Sequence, residues 1–417
     1  MSFVQLLSLI LLAGVLVIAI WRRINIGVLA LAAAFPVMLI SGVDADTLYK
    51  SFPGNLVVLI AGVSMLFAHL ERSGALAVIV ERVYATVGDR TWLLPWAGFF
   101  LAAAFSTAGA FSTAPIAFLV PMIAHVTTRY RASFLLCELG VIIGANSAGL
   151  SPLNPTGAVI KTAADKAGVH YNTWALWAAS MGAAIIVVAV LQVIDRARAR
   201  KGRQFAPEPA PAQDSSSASS ATPAYAWASA VGLLAFVVCV VVFKTDVGIT
   251  SMVVVVVLQL VFRPSERAIL GRIPWPSILL LTGLLTYLGL MKDVGTMDSI
   301  ERGLEHIGTG ALLILVIAYI TVLLCNIESS TIGIFGLMTP LVFVSFGDQA
   351  GLIWVLIAVC VPAALMVMNP IHVAGTLVIA NTATKDQDRL FRYLLGTAVS
   401  LAIVVPAVLW VPAALLT

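Results

Sequence analysis

Charge is scarce in this sequence. Asp, Glu, Lys and Arg make up 11% of its 417 residues, less than half the roughly 25% usual in soluble domains. Apolar residues reach 60% and the mean hydropathy is +1.03. A water-soluble globule could not hide that much apolar surface. A soluble enzyme, a nucleic-acid-binding protein and a disordered tail are therefore excluded as readings of the whole chain. Cysteine is also sparse. The four (Cys137, Cys239, Cys325, Cys360) lie inside apolar runs without C-x-x-C spacing, so neither a disulfide frame nor a thiolate metal site is expected. A basic leader is missing as well: the first apolar run is followed at once by Arg22 and Arg23. Residues 3–20 are expected to stay as a first helix and not to be cleaved as a signal peptide. What these absences leave is an all-α polytopic membrane protein.

A spanning helix needs about 20 mostly apolar residues. Full-length candidates fall near 3–20, 24–41, 55–70, 172–194, 225–243, 248–262, 275–290 and 391–415. Two further regions, 91–165 and 310–383, are apolar but interrupted by Gly, Pro, Ser, Thr and Asn. Residues 195–224 carry a basic run and then a Pro/Ala/Ser tract that cannot bury enough apolar surface to fold, and so read as a disordered linker. The two sides of it resemble each other. Ile26-Gly27, Ala61-Gly62 and Ser73-Gly74 recur 221 residues later as Val247-Gly248, Thr282-Gly283 and Val294-Gly295. Ser112-Thr113 recurs after 218 residues as Ser330-Thr331, and 151–157 as 369–375.

Each half then reads as three helices, a re-entrant hairpin, a broken helix and a last helix. The first repeat is 1–194, with its hairpin at 91–128 and broken helix at 131–165. The second is 225–417, with its hairpin at 310–346 and broken helix at 352–383. Five crossings per half is an odd number, so the second repeat enters inverted, a 5+5 arrangement. Charge placement agrees with it. With both termini outside and the linker cytoplasmic, 18 of the 24 Lys and Arg residues fall inside. Only Lys50, Lys161, Lys166, Lys244, Lys292 and Arg302 fall outside, as the positive-inside rule requires. Residues 71–89 and 292–307 are too charged to span. They read as amphipathic arms along the interface, at equivalent positions of the two repeats.

Irregular backbone at membrane depth must line a cavity or be buried in protein. Paired breaks in two repeats therefore point to a transporter's central site. Four breaks occur, around 106–115, 144–157, 326–333 and 368–375. Each starts a half-helix, near Thr113, Thr156, Thr331 and Ile371, whose N–H groups and positive dipole end suit an anion. Ser112, Thr113, Ser151, Asn154, Thr156, Ser329, Ser330, Thr331, Asn369 and His372 supply candidate substrate donors. Oxygens near Thr107, Ser112, Asn146, Leu150, Glu328, Ser330 and Met368 are candidate cation ligands. No Lys or Arg sits in a break, so dipoles, hydroxyls and a co-bound cation must hold an anionic substrate. Small residues that only let helices pack closely are the competing reading. Glu328 reads as an ion ligand or proton carrier. His372 stands where the first repeat has Asn154, and reads as a substrate donor, a titrating group or a structural donor. Glu138, in an apolar stretch away from the breaks, reads as an interhelical hydrogen-bonding group.

The N-terminal stretch, MSFVQLLSLILLAG through INIGVLALAAAFPVMLISG, resembles MatC-type dicarboxylate (malonate) carriers. The whole pattern apart from the linker is similar to the ion transporter superfamily, and to its divalent anion/sodium symporters in particular. Those carry Ser-Asn-Thr at each hairpin tip and a Thr/Ser-Pro-Pro-Asn-like turn in each broken helix. Here the tips read Phe111-Ser112-Thr113 and Ser329-Ser330-Thr331. The turns read Ser151-Pro152-Leu153-Asn154 and Asn369-Pro370-Ile371-His372. The resemblance implies that Ser112, Thr113, Ser151, Ser329, Ser330 and Thr331 contact substrate carboxylates. It also implies that backbone around Ser112, Leu150, Ser330 and Met368 helps to hold sodium. Both tip asparagines are serine here, which leaves a proton as the alternative coupling ion. Elevator motion, a homodimer in the bilayer and a bacterial inner-membrane location follow by resemblance. The expected function is uptake of a small dicarboxylate, malonate or a C4 acid, with no cofactor beyond the coupling ion. The nearest rival is a cation/proton antiporter or an oxyanion transporter of the same superfamily. An intramembrane hydrolase is disfavoured by the absence of G-x-S-x-G and H-E-x-x-H.

Overall fold

In hydrocarbon every backbone N–H and C=O must find its partner within its own segment, and for apolar runs of this length the helix is the solution. The computed structural model describes residues 2–22, 24–88, 90–130, 133–200, 222–304, 310–327, 331–366, 368–370, 372–381 and 387–416. All regular structure among them is helical. In chain order the first half holds α1 (Phe3–Arg22), α2 (Ile26–Ser41), α3 (Ala45–Lys50), α4 (Gly54–Arg72) and α5 (Ala75–Val87). It continues with α6 (Leu94–Thr107), α7 (Thr113–Tyr130), α8 (Phe134–Ala148), α9 (Pro155–Ala167) and α10 (Thr173–Ala199). The second half holds α11 (Pro223–Val241), α12 (Val247–Phe262), α13 (Glu266–Leu270), α14 (Trp275–Asp293) and α15 (Thr296–Leu304). It ends with α16 (Gly310–Ile327), α17 (Thr331–Phe346), α18 (Leu352–Leu365), α19 (Val373–Asn381) and α20 (Gln387–Leu416). Ten elements are followed by ten of matching order.

Among the described residues, five helices are long and apolar enough to cross a membrane: Gly54–Arg72, Thr173–Ala199, Pro223–Val241, Trp275–Asp293 and Asp388–Leu416. The helices flanking the breaks are shorter. α6 has 14 residues and α8 has 15, about 21–23 Å at 1.5 Å per residue, short of the ~30 Å hydrocarbon core. Such pieces end inside the protein.

Contacts between the halves are reciprocal. α2 packs on α14, and α12 packs on α4. The glycines that mark the repeat in the sequence make both crossings. A methyl group at Gly283 would strike the Gly27 backbone, and one at Gly27 would strike the Leu279 carbonyl. At the other crossing a methyl at Gly248 would meet Leu59 backbone, and one at Gly62 would strike the Ser251 hydroxyl. Gly74 and Gly295, both left-handed with φ of 76° and 74°, turn the chain into α5 and α15. The arms begin later than the charge pattern suggests, because α4 and α14 continue to Arg72 and Asp293.

Each arm is joined to the first helix of the other half. Thr296 Oγ1 lies 2.8 Å from Ser8 Oγ, and Tyr287 donates to the Ser8 carbonyl at 2.7 Å, which binds the start of α15 and α14 to α1. Opposite it, α5 packs on α11, and His69 Nδ1 lies 2.7 Å from Tyr225 Oη. The short helices α3 and α13 have no counterpart in the sequence reading, since six and five residues are too few to show a periodicity. α10 runs through Ala199, five residues into the stretch read as linker. Its Arg-Ala alternation is good helix former until Gly202. Of that linker, 201–221 lie outside the described residues.

A second body is formed by the hairpins and broken helices. α6 packs on α8 and α16 on α18. The two sets interlock through α7 with α19, α9 with α17, and α8 with α18. α10 and α20 flank this body against α8 and α18.

Candidate functional site at the helix breaks

The first break, between α6 and α7, lies against the break between α8 and α9. Asn154 joins them. Its Nδ2 donates to the Ser106 carbonyl at 2.9 Å, the Ser106 hydroxyl at 3.1 Å and the Ala110 carbonyl at 2.7 Å. Its Oδ1 caps α9 by accepting from Thr156 N at 2.9 Å. Ser151 adds a second tie, donating to the Thr107 carbonyl at 2.9 Å and accepting from Leu153 N at 3.2 Å. Asn154 and Ser151 are fully buried. Thr107 Oγ1 accepts from Trp177 Nε1 at 3.1 Å, which fastens the tip to α10. Gly157 N donates to the Gly149 carbonyl at 3.0 Å. A side chain at Gly157 would strike the Ser151 carbonyl, as one at Gly375 would strike that of Asn369. Only glycine lets the half-helices start so close to their own turns.

In the second half, Asn369 Nδ2 donates to Asn326 Oδ1 at 2.7 Å, joining the end of α16 to the break after α18. Asn326 Nδ2 reaches the Val322 carbonyl at 3.0 Å and contacts Met366 Sδ. His372 is 5% exposed. Its Nδ1 accepts from Ala374 N at 3.4 Å, while its Nε2 is buried with no partner among the described residues. Thr331 opens α17, and its Oγ1 is likewise buried without a partner. A buried donor left unsatisfied costs about 1–3 kcal/mol, and one at a helix start at membrane depth is suited to a ligand oxygen.

The remaining candidates are placed as follows. Ser112, Thr113 and Thr156 are half-buried, and the Ser112 hydroxyl lies beside Gly149. Asn146 is half-buried and donates back to the Ile142 carbonyl at 2.9 Å. Leu150 and Met368 are buried within the turns. Glu138 is buried in α8, away from the breaks. Glu328, Ser329 and Ser330 lie outside the described residues. Among the described residues no group of three or more His, Cys, Asp and Glu is placed to hold a metal ion. Among the described residues, the carbonyl and hydroxyl oxygens of the turns are the groups suited to a cation.

In the first half the structure brings the hairpin tip against the broken-helix turn, and in the second it joins the end of α16 to the turn after α18. Sequence reading missed the partners in the two ties, Ser106, Asn326 and Trp177. The signal for the first two was present, since both are polar residues at the start of a break. Trp177 carries only the general hint that a buried indole N–H seeks an acceptor.

No curated protein matches the chain. Among solved structures it is similar to the Alcanivorax borkumensis YdaH transporter, described as having an unusual topology. The TM-score is 0.60 at 14% identity, over 88% of this chain and 89% of that one. A likeness at that identity shows the fold alone, an all-helical architecture shared with that structure, and the five long apolar helices make the chain a multi-pass membrane protein. In sequence, residues 1–149 match the family described as "Dicarboxylate carrier protein MatC N-terminus", a span that includes residues 1–42, whose sequence resembles those carriers.

Proposed function

We propose that the chain is a secondary transporter that takes up a small dicarboxylate, malonate or a C4 acid, by cation-coupled alternating access. One observation carries this reading. The helices that flank the four breaks, paired by the repeat, pack against one another in one body. They present helix starts, hydroxyls and buried unpartnered donors at membrane depth. Dipole ends and donors without a lysine or arginine suit an anion that arrives with cations. The match of residues 1–149 to a dicarboxylate carrier family supports the substrate class.

Ser112, Thr113, Thr156, Thr331 and His372 are the groups with capacity for substrate oxygens, together with Ser329 and Ser330 by resemblance. Asn154, Ser151 and Asn369 hold the tips on the turns, so they shape the site from behind. Carbonyls near Thr107, Leu150 and Met368 are proposed as cation ligands, with sodium as coupling ion and a proton as the alternative, and Glu328 as its carrier. The body of hairpins and broken helices moves against α1, α2, α4, α11, α12 and α14 as an elevator. The chain acts as a homodimer in the bacterial inner membrane, with both termini outside.

The test is uptake of labelled malonate into proteoliposomes under an inward sodium gradient, an inward proton gradient, or neither. Accumulation with one gradient only identifies the coupling ion. Absence of uptake of malonate and of C4 dicarboxylates under every gradient would refute the reading.

A further inference from the structure

The two broken helices start their second halves with the same device and different residues. Asn154 and His372 stand 218 residues apart, and each accepts from the backbone N–H two residues on. Asn154 Oδ1 takes Thr156 N at 2.9 Å and His372 Nδ1 takes Ala374 N at 3.4 Å. What each side chain has left over differs. The amide nitrogen of Asn154 is spent on Ser106 and Ala110. In the second half Asn369 makes the tie to the hairpin instead, through Asn326, which releases His372 from that task. A neutral imidazole that accepts at Nδ1 keeps its proton on Nε2. That N–H is buried with no partner among the described residues, and His372 is 5% exposed. Opposed to it in character are Ser112 and Thr113 at the first tip. Both residues are half-buried, and their hydroxyls rotate to donate or accept.

We propose that the transporter reads the two ends of its substrate unequally: His372 Nε2–H is a fixed donor to one carboxylate, and the other end meets the adaptable hydroxyls of the first hairpin tip. This rests on the dicarboxylate reading above and gives it a specificity. A buried donor with no alternative partner rejects a ligand end that offers it no acceptor, whereas rotatable hydroxyls can also accept and so tolerate a donor group in place of a carboxylate.

Two variants separate the cap from the donor. His372→Asp keeps an acceptor for Ala374 N but removes the donor and sets a carboxylate beside the substrate. Its KM for malonate should rise about 10- to 100-fold, the loss expected for a hydrogen bond to a charged group. His372→Asn reproduces the cap seen at Asn154 and keeps an N–H, so its KM should stay within about tenfold of the parent. Nitrogen NMR of the histidine-labelled full chain should show Nδ1 unprotonated and Nε2 protonated at neutral pH. A wild-type KM in His372→Asp or the opposite tautomer would overturn the inference and leave the transport reading standing. A wild-type chain that moves no dicarboxylate would overturn the transport reading, and this inference with it.

Discussion

Asn154 shows how one residue type serves two ends at a helix break. As a polar side chain beside Pro155 it looks like a substrate contact, yet in the structure its oxygen and nitrogen are both committed to the protein. Asn154→Ala would remove an N-cap, worth about 1 kcal/mol. It would also leave buried carbonyls of Ser106 and Ala110 without their donor, at about 1–3 kcal/mol more. The expected outcome is a lower melting temperature of the purified protein, with poor uptake as a consequence. Ser112→Ala should behave oppositely, raising the KM for malonate several-fold while the melting temperature is unchanged, because no hydrogen bond among the described residues depends on that hydroxyl. Thermal unfolding and uptake kinetics on the two variants distinguish a brace from a contact.

At the scale of elements, two kinds of contact do different work. The α2–α14 and α4–α12 crossings rely on backbone approaching backbone, and lipid offers no hydrophobic drive to press helices together, so close packing must supply the attraction. Gly283→Val would hold α14 off Gly27 and cost about 1–3 kcal/mol or more through overpacking. We expect it to reduce the yield of monodisperse protein in size-exclusion chromatography far more than a valine at Gly182, where nothing lies near. Where α9 meets α3 and α14, the contacts are of another sort. Lys166 Nζ donates to the Ser51 carbonyl and Lys292 Nζ to the Lys166 carbonyl, both at 2.7 Å. They are exposed ties between the body that carries the breaks and the helices around it. Lys292→Met should weaken the arrangement seen here by about 1 kcal/mol, a shift of roughly fivefold in population. Spin labels on α9 and α14 would report it as a longer distance component. An unchanged distribution would mean that this contact does not separate during transport.

For the whole molecule, the reciprocal crossings mean that neither repeat completes its own packing. α2 and α4 find their partners in α14 and α12, and the second hairpin helices α7 and α17 find theirs in α19 and α9 of the other half. Two chains cut within 201–221 should therefore assemble when co-expressed and co-purify through a tag on one of them, while either piece alone aggregates. Recovery of a folded, monodisperse single half would contradict the interlocked architecture.

Much of this was legible in the residues. Scarce charge and long apolar runs dictate a helical membrane protein, because only segments that satisfy their own backbone survive in lipid. The repeat was legible too, since Gly27, Gly62, Gly248 and Gly283 sit where helix crossings admit no side chain. The four breaks showed themselves through Pro, Gly, Ser and Asn interrupting apolar runs. Arm boundaries, the short helices α3 and α13 and the last turns of α10 were not legible, because charge and composition mark the bilayer edge more clearly than a helix end. Only the tertiary structure decided what the polar residues at the breaks do. Sequence lists the donors and acceptors at a turn but not their partners. Whether Asn154 or His372 has a nitrogen to spare depends on which carbonyls the other elements bring within hydrogen-bond reach.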